Sequence, residues 1–373
     1  MMNHSMLALV MVLGSSAAGQ GPAGVSPEPK VQEHGTKGDP YATQVARSAL
    51  RERAIEALVK ASVDREAVLR ANAIEGLHAA PSRVEDAVRA GLSDENPGVR
   101  FVAAFTVGKL KLKKSAAFVE PLLRDNEPRV RAAAIYACSA CGVAVDPTPL
   151  GGMLQNDDPL IRAEAARIVG EMGNKSAIPM LKSAAATADS RNKARFGGSM
   201  DERMVQGERV FQMQVAEALT KLGELQSADS LRAALYPSSR EGFESAALAA
   251  QILGTLRDQR AVAQLVDLIE QVVPGTSETA DVRQRQYLQP KEVRLAAAGA
   301  LARMGHPGGM YVAEGYLNDA DAAVRAQSVF VLGEGQRRSD RPSLERAMTQ
   351  DGSPMVRVAA AAAILRSLSE KSR

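Results

Sequence analysis

The chain has no tryptophan, and aromatic residues make up only 3% of its 373 positions. A core without large rings must be filled by many small contacts, which suits Ala, Leu and Val on closely packed helices. An excess of charge is also missing. Forty-six basic residues against 43 acidic leave a formal +3, too little at this length to imply nucleic acid or an anionic membrane as partner. The apolar run Met6–Leu13 has eight residues, whereas about 20 are needed to cross a bilayer. Only four histidines occur, His4, His34, His78 and His306, and none has the spacing of a metal site. His78 and His306 are expected at the surface. No Gly-rich phosphate loop follows a strand, and no Gly-x-Ser-x-Gly nucleophile elbow is present. The expectation is a protein without cofactor, metal or catalytic residues.

What is present is repetition. A heptapeptide recurs as DREAVLR (64–70), DENPGVR (94–100), DNEPRVR (125–131), NDDPLIR (156–162), DADAAVR (319–325) and DGSPMVR (351–357), with a looser QPKEVRL at 289–295. Its last Arg serves as an anchor: Arg70, Arg100, Arg131, Arg162, Arg294, Arg325 and Arg357. Two further copies carry Gln212 and Ala246 at that position. Pro97, Pro128, Pro159 and Pro354 stand three residues before their anchors, where a first helical turn leaves its N–H unpaired in any case. Asn96, Asp158 and Ser353 precede three of these prolines and can cap the free amides. An Ala-rich amphipathic stretch follows each anchor, and the seventh position past it is apolar in every copy, from Leu77 to Ile364. A second helical stretch completes each unit. Such a unit cannot bury its apolar face alone, so about nine of them must stack. The helix at roughly 41–60 lacks the heptapeptide and is expected to be an N-terminal cap.

The Asp-x-x-x-x-Val-Arg signature, the Ala-rich helix and the small residue after it resemble the HEAT family, in particular the short HEAT-like repeats of phycobilisome lyases. The resemblance spans 64–368. It implies an all-α fold, an α-solenoid in which about nine two-helix repeats form a right-handed superhelix, with the second helices lining a concave binding face. It specifies no function, because such repeats serve many scaffolds.

Asp64, Asp94, Asp125, Asp319 and Asp351 lie six residues before their anchors. An Asp–Arg ladder between stacked turns would satisfy both charges, which makes these residues and the anchors structural. Cys138 and Cys141 form a Cys-x-x-Cys, but they fall on core positions at a helix end, where the helix dipole disfavours a thiolate. Buried thiols, a local disulfide and a redox pair remain the three readings, in that order. The run Lys109, Lys111, Lys113 and Lys114 reads as solvated surface.

Successive anchors are 30, 31, 31, 50, 34, 48, 31 and 32 residues apart. The two long intervals mark insertions at about 186–206 and 273–290. The first carries Arg191, Lys193, Arg195, Phe196 and Arg203, the second Arg283, Arg285 and Tyr287. Insertions on one edge of a repeat array are frequent binding elements, so these residues are candidates for a clamp on an acidic protein segment or glycan. The first eighteen residues lack Asp, Glu, Lys and Arg. With Ser16 and Ala18 placed as a cleavage pattern, they read as a secretory signal, and Gly- and Pro-rich residues 19–40 read as a linker. The repeat solenoid then occupies 41–373. Together these features predict a periplasmic or secreted, non-enzymatic scaffold for a protein partner, without nucleic acid and without a membrane span. A lyase-like or chaperone-like handler of a cofactor or protein substrate is the alternative, with a nucleic-acid-binding HEAT-like protein behind it.

Overall fold

The computed structural model describes residues 39–196, 202–236, 242–272 and 287–369. The segment read as a signal (1–18) and nearly all of the linker lie outside these residues. The described chain is helical, and its only β-pairing is an isolated bridge between Val272 and Tyr287. Helix α1 (Gln44–Ala61) comes first. The repeats follow as α2 (Ala67–Gly76) with α3 (Pro81–Leu92), then α4 (Pro97–Leu110) with two 3-10 turns, then α5 (Pro128–Cys141) with α6 (Thr148–Met153). Next come α7 (Pro159–Met172) with α8 (Ile178–Phe196), α9 (Glu202–Lys221) with α10 (Ala228–Ala233), and α11 (Phe243–Leu256) with α12 (Val262–Glu270). The array ends with α13 (Lys291–Arg303) and α14 (Met310–Gly315), α15 (Ala322–Gly335) and α16 (Arg341–Gln350), and α17 (Pro354–Leu368). Local chemistry sets these boundaries: Pro97, Pro128, Pro159 and Pro354 each open a helix. The Asn96 and Asp158 side chains accept the amides of Gly98 and Leu160 at 2.8 Å, closing two otherwise open amides.

The helices that follow the anchors pack on one another in series: α2 on α4, α4 on α5, α5 on α7, and so on to α15 on α17. Their burial is nearly complete. Every residue of α17 from Val358 to Leu365 is buried, whereas α12, a second helix, buries only Leu265, Leu268 and Ile269. The resemblance implies that second helices line the concave side; the structure corrects this. The post-anchor helices form the inner layer, because their Ala-rich surfaces are buried on nearly every side, and the amphipathic second helices cover them from outside. Close approach within the inner layer needs glycine. A Cβ on Gly170 would stand 2.7 Å from Ala218 Cα, and one on Gly254 2.6 Å from Ala300 Cα.

The series also returns on itself. Helix α17 packs against both α1 and α2, and a Cβ on Gly76 would meet Leu58 of α1 and Ala362 of α17. Tyr41 and Arg53 both bind Glu345 across this seam. Helix α1 is therefore no cap with an outward end. Its buried stripe Leu50, Ala54, Ile55 and Leu58 stands where the ninth unit would place its second helix, and the array closes into a ring.

The charged centre of the ring and the candidate functional site

The inner helices are not purely apolar. Five residues past the anchors stand Glu75, Arg167 and Glu217, and nine residues past them stand Lys109, Glu171, Lys221, Arg303, Glu334 and Arg366. A spacing of four puts the two sets on one face of each helix, and that face looks into the ring. Glu75 on α2 feels Arg366 of α17, Arg303 of α13 and Arg167 of α7. Because α2 does not neighbour α7 or α13 along the ring, these side chains converge at its centre.

Two cation–anion–cation arrays lie there. Lys109 and Lys221 approach Glu171 at 3.3 and 2.6 Å, and Lys221 also meets Glu217 at 2.6 Å. Arg303 and Arg366 each stand 3.4 Å from Glu334 and lie over the Phe330 ring at 5.1 and 4.8 Å. Between the arrays, Arg167 pairs with Glu164 and covers Phe105 at 4.4 Å and Phe101 at 5.4 Å. Burial pushes the Glu75 carboxyl up to about 7 despite the arginines facing it. Burial, then Lys109 and Arg366, pushes His78 down to about 4. Burial alone would raise Glu171, but Lys221 and Lys109 hold it at about 2. His78 is thus an interior residue whose ring lies 2.8 Å from Thr106 Oγ1, not the surface residue expected. Lys109 joins the central array while staying exposed, and Lys111, Lys113 and Lys114 are exposed as expected.

The anchors sit at the turns. Arg70 donates two hydrogen bonds of 2.7 Å to Asp94, and Arg100 donates at 2.7 and 3.0 Å to Asp125. Arg325 donates twice at 2.9 Å to Asp351. The same guanidinium groups also bind the carbonyls five and six residues before them, as at Asp64 and Arg65 for Arg70. Arg131 and Arg357 make only the carbonyl contacts. Arg162 reaches Glu208 instead of an Asp and lies 5.0 Å from the Phe211 ring. The expected rung from Arg294 to Asp319 is absent. Lys291 binds Asp319 at 2.9 Å, while Arg294 donates to Ile269 O and Tyr316 Oη and stacks on Tyr287 at 3.3 Å. The insertion before this helix delivers that aromatic cover.

Models of HEAT repeats match residues 55–139 and 285–365, and a model of the phycobilisome lyase HEAT-like repeat matches 161–187. This chain is a HEAT-repeat protein. No curated protein matches it. Among solved structures it is similar to human deoxyhypusine hydroxylase, at 17% identity over 77% of this chain and 96% of that one, with TM-score 0.36. It is similar also to the CpcE–CpcF complex of phycocyanin lyase from Nostoc sp. PCC7120, at 20% identity over 68% and 88%, TM-score 0.36. Kap121p bound to Nup53p matches at 13% identity over 87% and 37%, TM-score 0.29.

Within the HEAT array the first insertion is mostly helix. It lengthens α8 to Phe196 and starts α9 at Glu202, so Arg191, Lys193, Arg195 and Phe196 lie on the last turns of α8 and an exposed Arg203 on the first turn of α9. In the second insertion Arg283 and Arg285 lie outside the described residues. Tyr287 is engaged with Arg294 and paired with Val272, which makes it part of the scaffold instead of the tip of a clamp. Cys138 and Cys141 are buried free thiols, and burial raises both. No His, Cys, Asp and Glu cluster suited to a metal occurs among the described residues, and no described helix is long and apolar enough to cross a membrane. The charged centre was the feature hardest to see in sequence. It becomes visible only when all nine units are aligned on the anchor and the fifth and ninth columns are read down.

Proposed function

We propose that this HEAT-repeat chain is an exported, non-enzymatic scaffold that engages a protein partner through its outer layer, with the α8–α9 hairpin as the main contact. The observation that supports this reading is the inner layer's burial. Helices such as α17 spend their surfaces on neighbouring helices, which leaves the outer helices and the α8–α9 hairpin to meet a protein partner. Arg191, Lys193, Arg195 and Arg203 at the hairpin ends favour an acidic partner. The experiment is charge reversal of these four positions to Glu in the mature chain, followed by capture from the native host. Loss of the captured partner with an unchanged melting curve is expected; the same partner at the same yield would defeat the reading.

Export is supported by the first eighteen residues, which lack Asp, Glu, Lys and Arg, and by the small residues near Ala18. N-terminal sequencing of the chain purified from its host should begin at Gly19. A chain retained in the cytosol and beginning at Met1 would overturn it.

A further inference from the structure

A cavity of about 470 Å³ opens among the N-terminal turns of α2, α4 and α5 and reaches α7. Its walls are mostly apolar, formed by Val68, Ala71, Pro97, Val99 and Phe101, and two polar side chains stand among them, Asn72 and Glu164. Both belong to the inner layer, two residues past the anchors Arg70 and Arg162. Asn72 is 2% exposed and Glu164 7%. The Asn72 carboxamide makes no hydrogen bond among the described residues. Glu164 receives Arg167 twice on Oε1, which leaves Oε2 open. The polar atoms of Asn72 reach the cavity, where only water or a ligand can complete their hydrogen bonds. The cavity's size falls in the range of small-molecule sites, which typically pair apolar walls with a few fixed polar groups.

The chemistry of the lining selects the ligand. An anion would face Glu127 and Glu164, and a cation would face Arg129 and the positive ends of three helices. Arg129 is itself held by Glu127 at 3.0 Å, and Glu164 by Arg167, so each charge in the lining is already matched. The open groups are one carboxylate oxygen that accepts and one carboxamide that both donates and accepts. An amide carries the complementary set, an N–H for Glu164 and a carbonyl for the Asn72 amide nitrogen. We infer that this cavity is a binding site for a small uncharged amide with an apolar body, seated against Phe101 and Val99 with its amide edge between Asn72 and Glu164. The site is separate from the outer surface proposed for the protein partner, and its test does not depend on that partner.

Benzamide is the probe, with isosteric benzoate and the similarly sized cation benzylamine as charged comparators, titrated into the full chain and followed by protein-observed NMR and calorimetry. Benzamide should bind one-to-one and at least tenfold more tightly than either comparator. Asn72→Leu, which keeps the branching at Cγ and removes both hydrogen-bonding groups, should weaken benzamide at least tenfold. Val68→Trp, which fills the mouth and leaves the polar pair intact, should abolish binding without altering the fold, and it decides the matter if Asn72→Leu does not fold. Failure of benzamide to bind, equal binding of benzoate or benzylamine, or unchanged binding in Val68→Trp would each overturn the assignment.

Discussion

Two arcs of the ring solve the same problem differently. From Asp64 to Asp125 the units are evenly spaced, and each anchor guanidinium is gripped by its own turn carbonyls and by the next unit's carboxylate, as at Arg70–Asp94 and Arg100–Asp125. From Arg162 to Arg294 the spacing is broken by insertions, and the carboxylate is missing or displaced. There Arg162 recruits Glu208 and the face of Phe211, and Arg294 is enclosed by Tyr287, Tyr316 and the Ile269 carbonyl. The difference teaches that the shared requirement of the seven anchor arginines is a set of partners that holds each guanidinium in place. The Asp is one means of meeting it.

This comparison can be broken at defined points. The largest effect is expected for Arg162→Ala. Arg162 is 2% exposed, and removal strands Glu208 and two turn carbonyls, which should cost about 3–5 kcal/mol in urea denaturation. Arg100→Ala, where the pair is more exposed, should cost about 2–3 kcal/mol, and Arg131→Ala, which loses only two carbonyl contacts, about 1 kcal/mol. Equal losses at positions 100 and 131 would show that the carboxylate adds nothing. A gain is also expected. Asn156 stands where the regular arc has Asp, and Asn156→Asp should give Arg131 a carboxylate, raising stability by about 0.5–1 kcal/mol.

The smallest effect concerns pH. The folded Glu75 carboxyl, near 7, lies above its unfolded value of about 4.3, so its contribution falls as pH rises from about 4.5 to 7. His78, near 4 when folded, lies below its unfolded value of about 6.5, so its contribution rises with pH across nearly the same window. The two slopes oppose each other, and the native chain should be nearly flat there. Glu75→Gln should uncover a stability that increases from pH 4 to 6.5. A flat profile in that variant would remove His78 from the account.

Much of this was legible in the residues. Pro97, Pro128 and Pro159 mark helix starts, and the aspartates six positions before the anchors mark the rungs, because both are local chemistry repeated at fixed spacing. Arg294 was misread because its partners come from an insertion, which no repeat pattern describes. The centre was obscured by composition: single charges on Ala-rich helices look like surface positions until ring closure turns their common face inward. Asn72 and Glu164 were missed for the same reason. The closure itself left only a faint trace. Helix α1 lacks the heptapeptide, and nothing local says that it packs beside α17, about 300 residues further on.

That closure has a consequence for how the protein is made. Helix α1 is held by α17, which follows it by about 300 residues, so the stripe Leu50, Ile55 and Leu58 lacks part of its native cover until α17 has formed. Such long-range pairing is slow to form and exposed to aggregation while it waits. Loss of α17 would uncover α15 and α1 in a single event.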